Sequence, residues 1–234
     1  MMMEILNQKM FKEFLKESPH SDFIEKAISK NGPTTLVYEG NRVRVYYHLS
    51  QKNPREIISN SEMVKIDKSF KTNSLKKDVK KFEQLFDQLF VSLGKVAKTS
   101  KRKVDVIFVD YPLKDDSGKV VRVYVEYFEN SKQHVIFFNN SVIGQNFLLH
   151  WLLHEYAHVY LMEDMKEGAR RKVKKFIDEN LVGKDPEQLI KDKWIVRKYS
   201  LKDYEEFFAD SIMVLAWDSY GLNDEVVRMI AGIL

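Results

Sequence analysis

The sequence predicts an α+β fold over residues 70–234: one long helix, a small sheet, then mostly helices. Three observations carry that prediction. Leu75, Val79, Phe82, Leu85, Phe86, Leu89, Phe90, Leu93 and Val96 recur at helical spacing opposite a set of lysines. Three short runs rich in β-branched and aromatic residues follow, Val104–Tyr111, Val120–Phe128 and His134–Asn139. From Gln145 onward the apolar pattern returns to the helical period.

Taken in order, residues 3–30 read as a helix through Ile5, Leu6, Met10, Phe11, Phe14 and Leu15, ended by Asn31-Gly32-Pro33. TTLVYEGNRVRVYYHLS reads as a β-hairpin turning at Glu39-Gly40-Asn41. Residues 51–73 are polar and irregular and mark a boundary, so residues 1–65 stand as a small N-terminal α/β extension. Ser74–Ala97 is the clearest amphipathic helix. Within Val120–Phe128, Val121, Val123, Val125 and Tyr127 alternate with Arg122, Tyr124, Glu126 and Phe128. Glu129-Asn130-Ser131-Lys132 reads as the turn into the third strand. Gln145–Met162 is a nearly all-apolar helical run. Lys166–Leu181 stops at Gly183, and Pro186–Val196 opens with Asp185 as cap and Pro at the first helical position. Ser200-Leu201-Lys202-Asp203 resembles a capping box and starts a helix to about Asp218, and Asn223–Ile233 is the last helix.

Composition narrows the class. At 31% charged residues with nine Gly and five Pro, the chain is neither disordered nor low-complexity. The absence of cysteine excludes disulfides and thiolate ligands. Net charge is only +4, but Lys65–Lys103 holds 12 Lys/Arg against 4 Asp/Glu. That excess is either a contact for an acidic partner or a solvated helix face. The N-terminal MMMEILNQKMFKEFLKES lacks a signal peptide's apolar core, and the Gln145–Met162 run is broken by His and Glu. The expectation is a soluble, cytoplasmic protein without a membrane span.

The chemistry concentrates in QNFLLHWLLHEYAHVYLM, which carries His154-Glu155-Tyr156-Ala157-His158. On a helix His154 and His158 lie one turn apart on one face, so two imidazoles can converge on one metal ion. Glu155, one residue on, can reach a water on that metal without ligating it, the arrangement of a zinc hydrolase. A helix with almost no solvent face buries these polar groups at a cost that a bound metal offsets. His150, a turn upstream, is too far for the same ion and reads as a second-shell or hydrogen-bonded core residue. His20, His48 and His134 have no partner at helical spacing and read as surface or strand residues.

A catalytic zinc takes three protein ligands and leaves a position open. Two candidates for the third stand in the sequence. Asp164 lies six residues after His158, although Leu161 occupies the place where that spacing needs a turn-making Gly. Tyr204-Glu205-Glu206-Phe207-Phe208-Ala209-Asp210 is the better candidate: Glu206 and Asp210 share a helical face among bulky apolar residues, while Glu205 points about 100° away.

The HEYAH helix followed by EFFAD, 48 residues from His158 to Glu206, resembles the gluzincin metallopeptidases, most closely the catalytic domain of anthrax-lethal-factor-type peptidases. The resemblance implies a zincin-like domain with a small sheet, an active-site helix and C-terminal helices. It implies His154, His158 and Glu206 as zinc ligands, Glu155 as general base, and Tyr199, seven residues before Glu206, as an oxyanion-stabilising hydroxyl. Asp210 replaces the family's second Glu, and is expected to orient His154 or His158. The resemblance is specific only at these motifs. It does not extend to the first 70 residues, so toxin activity and particular substrates do not carry over.

The expectation is a zinc metallopeptidase acting on a peptide or protein substrate, with His134–Asn139 as an edge strand that receives it. Two alternatives remain: a DNA-associated zinc protease, suggested by the lysines of Lys65–Lys103, and a non-catalytic zincin-fold binding module. Intact Glu155 and Tyr199 speak against the second, since a scaffold needs neither.

Overall fold

The computed structural model describes residues 34–48, 68–96, 103–109, 113–114, 118–128, 133–145 and 147–234. The helix expected over 3–30 and most of the irregular stretch 51–73 lie outside these. The described residues form a mixed α+β structure with a five-stranded mixed sheet, a two-stranded ribbon and a run of helices. They divide into two compact units. One takes in the described residues of Met1–Lys80 and Lys103–Leu148, the other those of Lys81–Arg102 and Leu149–Leu234.

In the first unit, β1 (Thr34–Glu39) and β2 (Val43–His48) form the expected antiparallel hairpin, closed by Gly40 N–H donating to the Val43 carbonyl at 3.0 Å. The chain then passes through α1 (Lys68–Ser92) to β3 (Val104–Val109), which pairs with β2 in parallel. Parallel neighbours need a crossover of this kind. The hairpin expected to belong to an extension is therefore hydrogen-bonded into the same sheet as β3. A short ribbon, β4 (Leu113–Lys114) and β5 (Val120–Val121), precedes β6 (Val123–Phe128) and β7 (Gln133–Asn139).

The sheet order is β1-β2-β3-β7-β6. This corrects the expectation for His134–Asn139. β7 pairs in parallel with β3 on one side and antiparallel with β6 on the other, so both rows of its backbone groups are used and it is an inner strand. The composition of β3 and β7 agrees with a central place. Val106, Ile107, Phe108 and Val109, and Val135, Ile136, Phe137 and Phe138, are consecutive buried apolar residues, the pattern of strands covered on both faces. On one face Tyr46, Ile107, Val109, Val135 and Phe137 pack with Leu113 of the ribbon.

In the second unit the last three turns of α1 carry Phe82, Phe86 and Phe90. They meet Tyr156 and Tyr160 edge-on, with ring centroids 4.9–6.2 Å apart. Tyr156 belongs to α2 (Leu148–Val159), which continues into a π-helical turn, Tyr160–Asp164. α3 (Glu167–Asn180) follows. α4 (Pro186–Lys191) is capped as expected by Asp185, whose carboxylate accepts from the Gln188 N–H at 3.1 Å. α4 ends five residues before the expected Val196.

A 3-10 turn, Lys198–Leu201, leads into α5 (Tyr204–Trp217) and then α6 (Asp224–Ile233). The link between α5 and α6 has a position that favours glycine: a Cβ on Gly221 would stand 2.5 Å from Val214 Cγ1 and 3.1 Å from the Asp218 carbonyl oxygen, so a larger residue would force the Val214 side chain to move. No helix among the described residues is long and apolar enough to cross a membrane.

Candidate metal centre

Two faces of α2 do different work because residues two apart in a helix point in nearly opposite directions. Tyr156 and Tyr160 anchor one face on the phenylalanines of α1, which fixes how far the helix can rotate. His154 and His158 lie on the other. Their rings stand edge to face, and the two Nε2 atoms are 3.1 Å apart.

Opposite them stands α5. Its N-terminus is set by Asp203, whose Oδ1 accepts from Glu205 N–H at 3.0 Å and Glu206 N–H at 2.8 Å. This corrects the sequence expectation, in which Ser200 opened that cap. From this start Phe207, Phe208, Ala209, Ile212 and Leu215 are buried, and Glu206 and Asp210 face His154. Glu206 Oε2 lies 3.3 Å from His154 Nε2, and Oε1 lies 3.8 Å from His158 Nε2.

These three residues offer ligand atoms that all lie within 4.8 Å of one another. They fit a metal ion. Bonds of about 2.1 Å in a tetrahedral arrangement put donor atoms about 3.4 Å apart, close to the 3.1 and 3.3 Å found between the nitrogens and between His154 and Glu206. The chemistry of the set agrees with the distances. Glu206 Oε2 is buried, 3.3 Å from His154 Nε2, and makes no well-aligned hydrogen bond, so a cation between this carboxylate and the two imidazoles would satisfy it.

Around the triad a second layer fixes the ligands. His154 Nδ1, the nitrogen that a metal would not use, lies 3.0 Å from Asp210 Oδ1, an ion-pair contact without the alignment of a good hydrogen bond, which places a carboxylate behind the ring. Asp210 is fully buried and gathers further donors. Arg197 grips it with Nε to Oδ2 at 2.9 Å and Nη2 to Oδ1 at 2.8 Å, and Ser200 Oγ donates to Oδ2 at 2.7 Å. Neither Arg197 nor Ser200 was singled out as a site residue by sequence. Arg197 lies in a loop thirteen residues before its partner, where no periodicity links the two, and Ser200 reads locally as a cap.

The charges follow from this packing. Burial pushes the Asp210 carboxyl up, but His154, Arg197 and Ser200 together bring it down to about 2. Burial pushes the His154 imidazole down, and the carboxylates of Asp210 and Glu206 outweigh it and raise it to about 9. His158 is lowered to about 4 by burial and by the neighbouring His154. Glu155 is raised to about 7, mainly by burial, with His154 opposing the rise.

The remaining sequence candidates fall elsewhere. Tyr199 sits on the 3-10 turn, half exposed, with Arg197 and Lys202 each 5.2 Å from its ring centroid. Lys202 Nζ and Arg197 Nη2 lie 3.9 and 4.0 Å from Glu206, which ties the turn to the triad. Asp164 belongs to the π-helical turn after His158 and is not among the convergent ligands. His150, expected as a second-shell or hydrogen-bonded residue, instead stacks on Trp217 at 5.0 Å and leaves its buried Nδ1 without a hydrogen bond. Compared with known protein families and with curated proteins, the chain matches none.

Proposed function

We propose that this chain is a zinc-dependent metallopeptidase of the gluzincin type, a reading carried by one observation. The two histidines of an H-E-x-x-H turn share a 4.8 Å cluster with Glu206 from a separate helix, and the motif's own Glu155 is left outside that cluster. Zinc suits such a nitrogen and oxygen set with one position open, and when bound it polarises a water and the carbonyl under attack. Glu155 takes the proton from the attacking water and passes it to the leaving amine. Asp210, held by Arg197 and Ser200, keeps His154 turned with Nε2 toward the ion. Tyr199 supplies a hydroxyl that hydrogen-bonds the oxyanion of the tetrahedral adduct, and Arg197 and Lys202 flank its ring.

The test is a pair of variants assayed for both zinc and turnover. Glu155→Gln is expected to hold about one zinc per chain and to lose roughly 10²–10⁴ in kcat on a cleavable peptide, because an amide accepts no proton. Near-normal turnover in that variant removes Glu155 as the base. Glu206→Ala is expected to lower zinc content by elemental analysis. Full zinc there, together with loss in Asp164→Ala, would replace the gluzincin assignment. Tyr199→Phe keeps the ring and its cation contacts, so zinc and KM stay while kcat falls on the order of 10²–10³. A wild-type protein that binds zinc but cleaves no member of a broad peptide library is the non-catalytic binding module instead.

A further inference from the structure

We propose that the cleft between α3 and α6 is a docking groove for an acidic, apolar-anchored peptide segment of a partner protein. The proposal stands on the cleft alone and holds whether or not the metal centre hydrolyses peptides.

Two cavities, of about 410 and 280 Å³, lie along this pair of helices and share Lys172, Gly232 and Ile233, so they form one recess. Its floor is apolar: Ala169, Phe176, Met229 and Ile233 contribute to it. The recess is open at Gly168 and Gly232, where an added Cβ would meet no atom within 4 Å. The α3 side runs from Lys166 to Glu179, a rise of about 20 Å, enough for three to four turns of a docked helix.

The rim is cationic. Lys166, Lys172, Lys175 and Arg228 line the recess against two acids, Asp164 and Glu179. Glu179 is already 3.6 Å from Lys175. Lys166, Lys172 and Arg228 have no carboxylate partner at ion-pair distance among the described residues, so charge complementarity calls for an occupant that brings Asp or Glu. An apolar floor under a charged rim is the arrangement that accepts an amphipathic helix through anchors at i, i+3/i+4 and i+7.

Other occupants fit worse. A bilayer is flat and would reach the cations without filling the recess beneath them. A nucleic acid would neutralise the rim, but it would leave the apolar floor uncovered. Tyr160 and Asp164 at one end belong to the turn that begins two residues after His158, so the occupant would touch chain continuous with the candidate ligands.

The experiment is a phage-displayed library of random 16-residue peptides selected on the immobilised full-length protein and counter-selected on Gly232→Trp, which fills the recess where space is open. The expected survivors carry an excess of Asp and Glu with apolar residues at helical spacing. Synthetic copies should lose at least tenfold in affinity on Lys172→Glu/Arg228→Glu, with the thermal melt and metal content of that variant unchanged. Each of three results would overturn the proposal: no survivors after counter-selection, survivors without an acidic excess, or affinities equal on wild type and the charge-reversed variant. Binding of phosphatidylcholine/phosphatidylglycerol vesicles that Gly232→Trp abolishes, with no peptide selected, would assign the cleft to lipid and also overturn it.

Discussion

Arg44 with Asp105 in the sheet, and Arg197 with Asp210 in the helical unit, make the same two-pronged contact. Arg44 Nε and Nη2 donate to the two oxygens of Asp105 at 2.7 and 3.0 Å, and Arg197 does the same to Asp210 at 2.9 and 2.8 Å. Yet the carboxyls respond in opposite directions. Burial raises Asp105 above the usual carboxylate range even with Arg44 beside it, whereas Asp210, which burial also pushes up, is driven down to about 2. The arginine does not distinguish them; the other donors do. Asp105 has one more partner, Gln133 Nε2 at 3.3 Å, while Asp210 has the Ser200 hydroxyl at 2.7 Å and the His154 ring at 3.0 Å. A buried carboxylate is held ionised when every lone pair is claimed by a short donor. The sheet uses its fork to lock neighbouring strands in register, and the helical unit uses its fork to aim a ligand.

Breaking each fork in turn should separate these roles. The largest effect is expected for Asp210→Ala, which takes the acceptor from Ser200 Oγ and the buried countercharge from Arg197 and His154 at once. A loss of about 3 kcal/mol is expected, measured by urea unfolding of the metal-free protein. Asp105→Ala should cost about 1 kcal/mol, because Arg44 is partly exposed and water can replace its partner. Equal losses would mean that the extra donors on Asp210 add nothing.

A subtler change tests function rather than stability. Asp210→Asn preserves shape but weakens the hold on His154, and metal affinity should fall roughly 10–100-fold by competitive zinc titration. Asp105→Asn should leave that affinity unchanged. The smallest effect concerns pH. The folded-state pKa of Asp105 is raised, so its stabilising contribution is fully present below the unfolded pKa and is lost as pH rises through the folded one. Relative to Asp105→Asn, the wild type should therefore gain stability as pH is lowered from neutrality into the raised titration range. Urea melts of both proteins across that range check the sign.

Much of this protein was legible in the chain because the signals are local. The stripe of α1, the hairpin at Gly40, the Asp185-Pro186 start of α4 and the one-turn spacing of His154 and His158 all rest on contacts within a few residues. Periodicity and cap chemistry report such contacts directly. Glu206 was legible too, since an acid among Phe207, Phe208 and Ala209 needs a buried partner. What the tertiary structure alone decided lies between segments distant in sequence. The alternation of Val120–Phe128 and the turn after it pointed to the β6–β7 hairpin, but they could not say that the other edge of β7 would pair with β3, because that pairing spans about 30 residues. Ser200 looked like a cap until the packed α5 brought Asp210 within 2.7 Å of it, and Arg197 carried no pattern at all. Side chains in a loop acquire their role from what the fold places opposite them, and that placement follows from burying α5 rather than from any spacing along the chain.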